Sequence, residues 1–141
     1  MIETTLTLPG RLGFLTGKHH EDDVYMIALY TEDADLGCLT KAYTPKGEVR
    51  GPGYQAGGKI LTQYHAGVDE EEDFAYLSWL GPIRWENATI KAAGALIYNA
   101  SKQNLSVATC GFGGVISSTN GPWYFPTPPA GPEGAMVRLD R

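Results

Sequence analysis

Apolar stretches along the chain are short, and turn-forming residues separate them at intervals of roughly ten residues. The clearest is 24–30 (VYMIALY), which is apolar throughout and flanked by charge, and this predicts a strand buried on both faces. Residues 89–98 (TIKAAGALIY) predict a central strand. Residues 105–112 predict its antiparallel partner, across the polar turn 99–104.

Shorter elements complete the pattern. Further strands are predicted at 46–55, 59–65, 74–80, 115–118 and 135–139. Turns are predicted at 56–58 (AGG), which would make a hairpin, and at Asn120 and Gly121, because Asn and Gly accept positive φ. A short helix is predicted within 31–43. About eight short strands indicate an all-β fold, an antiparallel β-sandwich or a jelly-roll-like domain.

Both ends of the chain differ from this pattern. Pro9, Gly10 and Gly13 interrupt the first apolar set, so we expect an extended arm, or a strand and a turn, rather than a long helix. The stretch 126–134 contains four prolines and two glycines, which predicts an extended arm. The predicted organisation is an N-terminal arm and loop at 1–23, a β domain at 24–125 and a Pro-rich arm at 126–141.

Composition and charge narrow the class of protein. Charged residues make up 19% of the 141, and the net charge of −5 comes with scattered Lys and Arg, which argues against nucleic-acid binding. No apolar stretch approaches the ~20 residues of a membrane-spanning helix, and no secretory signal is evident. We therefore expect synthesis in a reducing cytoplasm. Cys38 and Cys110 are expected to be free thiols, although the spacing leaves one disulfide open.

Residues capable of chemistry do not form a recognisable site. The cluster 19–23 (HHEDD) has adjacent side chains that diverge on regular backbone, whereas metal ligands usually come from separate elements. The acidic run 69–73 lacks the spacing and the central Gly of a calcium loop. Neither a nucleophile elbow nor a phosphate loop is present. The sequence predicts no enzyme, no metal and no cofactor.

Apolar and aromatic residues near the two ends are instead predicted to form an interface. Trp79, Trp85 and Trp123 could serve as core residues, interface anchors or platforms for a glycan, and we favour interface anchors. The candidate interface residues are Leu6, Leu8, Leu12, Phe14, Trp123, Tyr124, Phe125 and Pro126.

Several segments taken in order resemble a family of small virion proteins of tailed bacteriophages. They are 53–59 with 61–62, then 85–90, 94–99, 107–108, 112–114 and 117–121, within about 48–126. The two ends of the chain depart from the pattern. The resemblance implies a virion structural protein, a capsid decoration or cement protein on the capsid exterior. It also implies the major capsid protein and copies of the chain itself, as a homotrimer, as partners. A tail, baseplate or head–tail adaptor component and a glycan-binding module are the alternatives.

Overall fold

The computed structural model describes residues 1–71, 74–125 and 137–140. The elements in chain order are β1 (Thr5–Leu6), α1 (Leu8–Leu15), β2 (Tyr25–Tyr30), β3 (Lys59–Ile60), β4 (Tyr64–Asp69), β5 (Phe74–Trp79), β6 (Arg84–Asn99), β7 (Leu105–Tyr124) and β8 (Val137–Asp140). One sheet has the order β1-β7-β6-β2-β3 and the other β4-β5-β8, and neighbouring strands are antiparallel. The predicted all-β class is confirmed. The arrangement as a sandwich or jelly roll stays a prediction.

The long hairpin of β6 and β7 is the centre of the larger sheet. Its turn lies at 100–104, where Gln103 and Asn104 both have φ of 58°. The predicted central strand and its antiparallel partner are thus confirmed, although both strands extend further than predicted. Their register shifts at several points, including between Trp85 and Ala88, and such bulges increase the twist of a strand pair.

Strand β2 is buried on both sides, as the unbroken apolar run predicted. Ile27 and Leu29 contribute to the main core, in which the ring of Tyr25 lies 5.3 Å from that of Trp79 in the smaller sheet. Ala28 and Tyr30 face the opposite way, into a second apolar cluster formed with the segment after β2. A strand covered on both faces has no polar side. This explains why apolar and polar residues do not alternate along β2.

The segment 31–57 contains neither the predicted helix at 31–43 nor the predicted strand at 46–55, so both predictions are wrong. It forms turns with isolated bridges such as Tyr30 to Glu48. The buried carboxylate of Glu48 organises it by accepting hydrogen bonds from the Tyr43 hydroxyl at 2.6 Å, the Tyr54 hydroxyl at 2.6 Å and the Gly57 amide at 2.9 Å. The chain curls around this carboxylate rather than extending along a neighbouring strand.

Neither of the two predicted glycine turns forms. No hairpin forms at 56–58, because β3 pairs with β2. Gly58 has a φ of +85° and lies so close to β2 that a Cβ there would be 1.9 Å from the Ile27 carbonyl oxygen. Asn120 has the positive φ that was predicted, 47°, but it lies inside β7, so the predicted turn at Asn120 and Gly121 is also wrong. A bulged strand can accommodate the same backbone angle.

Both ends of the chain contain paired strands. The N-terminal segment is not simply an extended arm, since β1 pairs with β7 and Leu8–Leu15 is helical. The predicted last strand is present as β8, which pairs with β5. Residues 126–136 and 141 lie outside the described residues, so the Pro-rich arm stays a prediction. The two cysteines are free and half-buried.

Candidate interaction surface

Helix α1 forms from a sequence with poor helix propensity, LPGRLGFL, because its first turn is capped and anchored. The Thr7 side chain accepts a hydrogen bond from the Gly10 amide at 2.9 Å, and Pro9 occupies the first turn, where no amide donor is needed. Thr7 is itself buried and receives a hydrogen bond from the Ser106 hydroxyl of β7 at 2.8 Å. The cap therefore also ties the helix to the sheet.

The glycines of α1 face inward and its leucines face outward. A Cβ at Gly10 would lie 2.2 Å from the Val107 carbonyl oxygen, and one at Gly13 would lie 2.4 Å from the His19 ring. Leu8, Leu12 and Leu15 are 50%, 61% and 85% exposed. This is the reverse of an ordinary surface helix, which turns its apolar side chains toward the core.

Two of these leucines, Leu8 and Leu12, line a groove of about 470 Å³, which we call the α1 groove. Its lining residues are Leu8, Pro9, Leu12, Gly13, Thr16, Lys18, Leu39, Lys41 and Leu105. Leu39, in the segment after β2, is 75% exposed and lines the groove together with the helix. The lining is apolar apart from Thr16 and two exposed lysines, and it includes no acidic residue. A contiguous exposed apolar surface of this kind is typical of a binding site.

A buried polar network supports the loop that carries Lys18. Asn99 donates through Nδ2 to Asp23 Oδ2 at 2.8 Å and lies 3.0 Å from His19 Nδ1, while Lys102 pairs with Asp23 Oδ1 at 2.9 Å. Asn99 Oδ1 accepts from the Ser101 amide, which fixes the orientation of the amide. His19 Nδ1 is therefore an acceptor, and the neutral ring carries its proton on Nε2.

The pKa values of His19 and Asp23 in this network are both shifted from their ordinary values. Burial, partly offset by the nearby Asp23 carboxylate, lowers the pKa of His19 below its usual 6.5. Desolvation raises the pKa of Asp23, but hydrogen bonds from Lys102, Asn99 and the His20 amide outweigh it and hold that pKa at about 2. At neutral pH the network therefore contains a neutral imidazole beside a lysine–aspartate ion pair.

The predicted interface residues separate into two groups. Leu8, Leu12 and Tyr124 are exposed, and the first two lie on the α1 groove. Leu6 and Phe14 are partly buried against the main core, whereas Trp123 and Phe125 are fully part of it. Pro126 lies outside the described residues. The prediction of an anchor at Trp123 or Phe125 is therefore wrong, because neither side chain can reach a partner.

The predicted interface did not include Lys18, Leu39, Lys41 or Leu105, which also line the α1 groove. The positions of Leu8, Leu12 and Leu15 follow helical spacing, a signal that the glycines and the proline concealed. Leu39 and Lys41 come from a segment without regular structure, and only the tertiary fold brings them to the helix.

Other candidate chemistry is dispersed in the described part of the chain. Trp79, Trp85 and Trp123 are all buried, so the interface preference for them is wrong and a glycan cannot stack on them. Across residues 1–71, 74–125 and 137–140, no three His, Cys, Asp or Glu residues are grouped as a metal site. Within the same ranges no helix has the length and apolar character needed to cross a membrane.

Comparison with known proteins adds no assignment: the chain matches no family model, no curated protein and no solved structure.

Proposed function

We propose that this chain is a bacteriophage virion structural protein, a capsid decoration or cement protein that binds the outside of the major capsid shell. In this role it acts through contacts between subunits, with the major capsid protein and with copies of itself as a homotrimer. The β domain would be a sandwich or jelly roll, and its site of action would be the virion exterior.

The observation that carries the proposal is the outward apolar face of α1, together with Leu39 beside it. Leu8, Leu12, Leu15 and Leu39 are all at least half exposed, and burying them against another subunit would remove apolar surface from water. The ordered resemblance of the 48–126 region to tailed-phage virion proteins supplies the biological setting. Many copies on one lattice convert individually weak contacts into firm attachment.

A tail, baseplate or head–tail adaptor component is the second candidate, because the same apolar face would serve a ring of subunits. Copy number separates the two roles. Symmetric assembly implies on the order of hundreds of copies per virion for a cement protein and about 3 to 12 for a ring.

The test is quantitative mass spectrometry of purified virions of the phage that encodes the chain, with the major capsid protein as an internal standard. We expect a fixed ratio to the major capsid protein that corresponds to the larger class of copy number. A copy number of about 3 to 12 per virion would instead favour the tail, baseplate or head–tail adaptor role. Absence of the chain from washed virions would overturn the virion assignment.

A further inference from the structure

We infer that the α1 groove binds the tip of the β4–β5 hairpin of a second copy of this chain, in a head-to-tail contact. By the hairpin tip we mean Val68, Asp69, Glu70 and Glu71. This inference deepens the proposed function, on which it rests, by naming the partner surface for self-assembly.

The first argument is charge complementarity within an acidic protein. The net charge is −5, yet the two charged residues on the α1 groove, Lys18 and Lys41, are both basic and exposed. Neither ammonium group has an ion-pair or hydrogen-bond partner among the described residues. The hairpin tip presents the opposite sign, with Glu70 and Glu71 exposed next to Asp69.

The second argument is apolar complementarity. Val68 is 65% exposed immediately before the acidic residues of the tip. The α1 groove offers Leu8, Leu12, Leu39 and Leu105 as a floor between its lysines. An apolar side chain followed by carboxylates therefore meets an apolar floor bordered by ammonium groups, the combination of a dry centre and a charged rim found at protein interfaces.

The third argument is that one chain cannot fill its own groove with its own tip. Phe14 faces β4 and β5 and shares a small cavity with Tyr64 and Gly67. At about 100° per residue, Leu12 lies roughly 200° around the helix from Phe14, so the groove opens on the opposite side of α1 from the β4–β5 hairpin. A contact between this groove and this tip can therefore form only between copies. A contact that joins two different surfaces generates a ring when the rotation closes, which is compatible with a trimer.

The test uses charge reversal in the full chain. The groove variant carries Lys18→Glu and Lys41→Glu, the tip variant carries Glu70→Lys and Glu71→Lys, and the swapped chain carries all four substitutions. A control variant carries Lys46→Glu and Lys91→Glu, two exposed lysines outside the groove. All positions are exposed, and circular dichroism checks that each variant is folded.

Sedimentation velocity of each variant gives the assembly state. We expect the wild type and the control to be oligomers, and the groove and tip variants to associate roughly 100-fold more weakly, because like charges would meet at the interface. An equimolar mixture of these two variants should assemble beyond a dimer with the two chains alternating, because both groove–tip contacts between unlike chains then join opposite charges. The swapped chain should assemble again.

Three results would overturn the inference. An oligomer that persists in the tip variant would show that another element occupies the groove, and one that persists in the groove variant would place the interface elsewhere. Both results leave the virion proposal intact. A wild-type chain that is monomeric at all concentrations would exclude self-association through the groove. The copy number per virion would still test the proposed function separately.

Discussion

At the scale of single residues, His19 is a side chain whose protonation the fold opposes. Its Nδ1 accepts from Asn99 Nδ2 at 3.0 Å, and its Nε2 is buried without a hydrogen-bond partner among the described residues. A proton on Nδ1 would place two N–H donors against each other. The ring also contacts Phe14 of α1, with centroids 5.0 Å apart, so any rearrangement would reach the helix.

Stability should therefore fall in mild acid. The folded pKa of His19 is lowered below 6.5, so the unfolded chain binds more protons, and the free energy of unfolding declines as pH falls through 6.5. Asp23 does not contribute in this window, because its pKa of about 2 lies below its ordinary 3.8 and its contribution is lost only below that value. We expect urea unfolding between about pH 7.5 and about pH 5 to show this decline.

The matched variants for this experiment are His19→Gln and His20→Gln. Glutamine at 19 can still accept from Asn99 but does not titrate, so the decline over this range should flatten. His20 is exposed, and its replacement should leave the decline as in the wild type. A His19→Gln chain with an unchanged slope would show that another group causes the acid sensitivity.

At the scale of elements, α1 depends on the absence of a side chain at Gly10. Alanine there improves intrinsic helix propensity, but its Cβ would lie 2.2 Å from the Val107 carbonyl oxygen of β7. Because that oxygen belongs to backbone in a sheet, the helix must move. We expect Gly10→Ala to lower the free energy of unfolding by about 1–3 kcal/mol in chemical denaturation.

Gly114 is the control for this substitution. It lies in β7, its φ is not in the left-handed region, and a Cβ there would meet nothing within 4 Å. Gly114→Ala should thus be close to neutral. Equal effects at the two positions would contradict the packing of α1 on β7.

The elements that the sequence predicts well are those with a clear local signal in the order of their residues. Strand β2 is recognisable because both of its faces are covered, and the β6–β7 hairpin because polar turn residues separate two apolar runs. Helix α1 is not recognisable, since its glycines are required by the approach to Val107 and His19, which only the tertiary structure reveals. Local propensity is a weak guide where tertiary contacts decide.

The sequence predicts only part of the candidate site. Leu8 and Leu12 stand out as apolar residues in a segment too broken for a core, and both lie on the α1 groove. Trp123 and Phe125 have the same appearance in sequence, yet the main core encloses them. Lys18 and Lys41 are ordinary surface lysines until the fold places them beside the same leucines.

At the scale of the whole molecule, self-association through the α1 groove should make stability depend on concentration. An oligomer that dissociates on unfolding is stabilised by mass action, so the melting temperature should rise by several degrees over a roughly hundredfold increase in protein concentration. Leu12→Glu places a charge on the groove floor and should abolish that dependence. Leu80→Glu alters another exposed leucine, outside the groove, and should retain it. Differential scanning calorimetry at several concentrations measures both.

Binding to capsid shells tests the central claim most directly. The purified full chain, wild type or Leu12→Glu, is mixed with expanded shells of the major capsid protein that lack decoration, and bound copies are counted after sedimentation. We expect the wild type to saturate at a fixed stoichiometry per capsid subunit and Leu12→Glu to bind much more weakly. A wild-type chain that stays in the supernatant at every concentration would contradict the account.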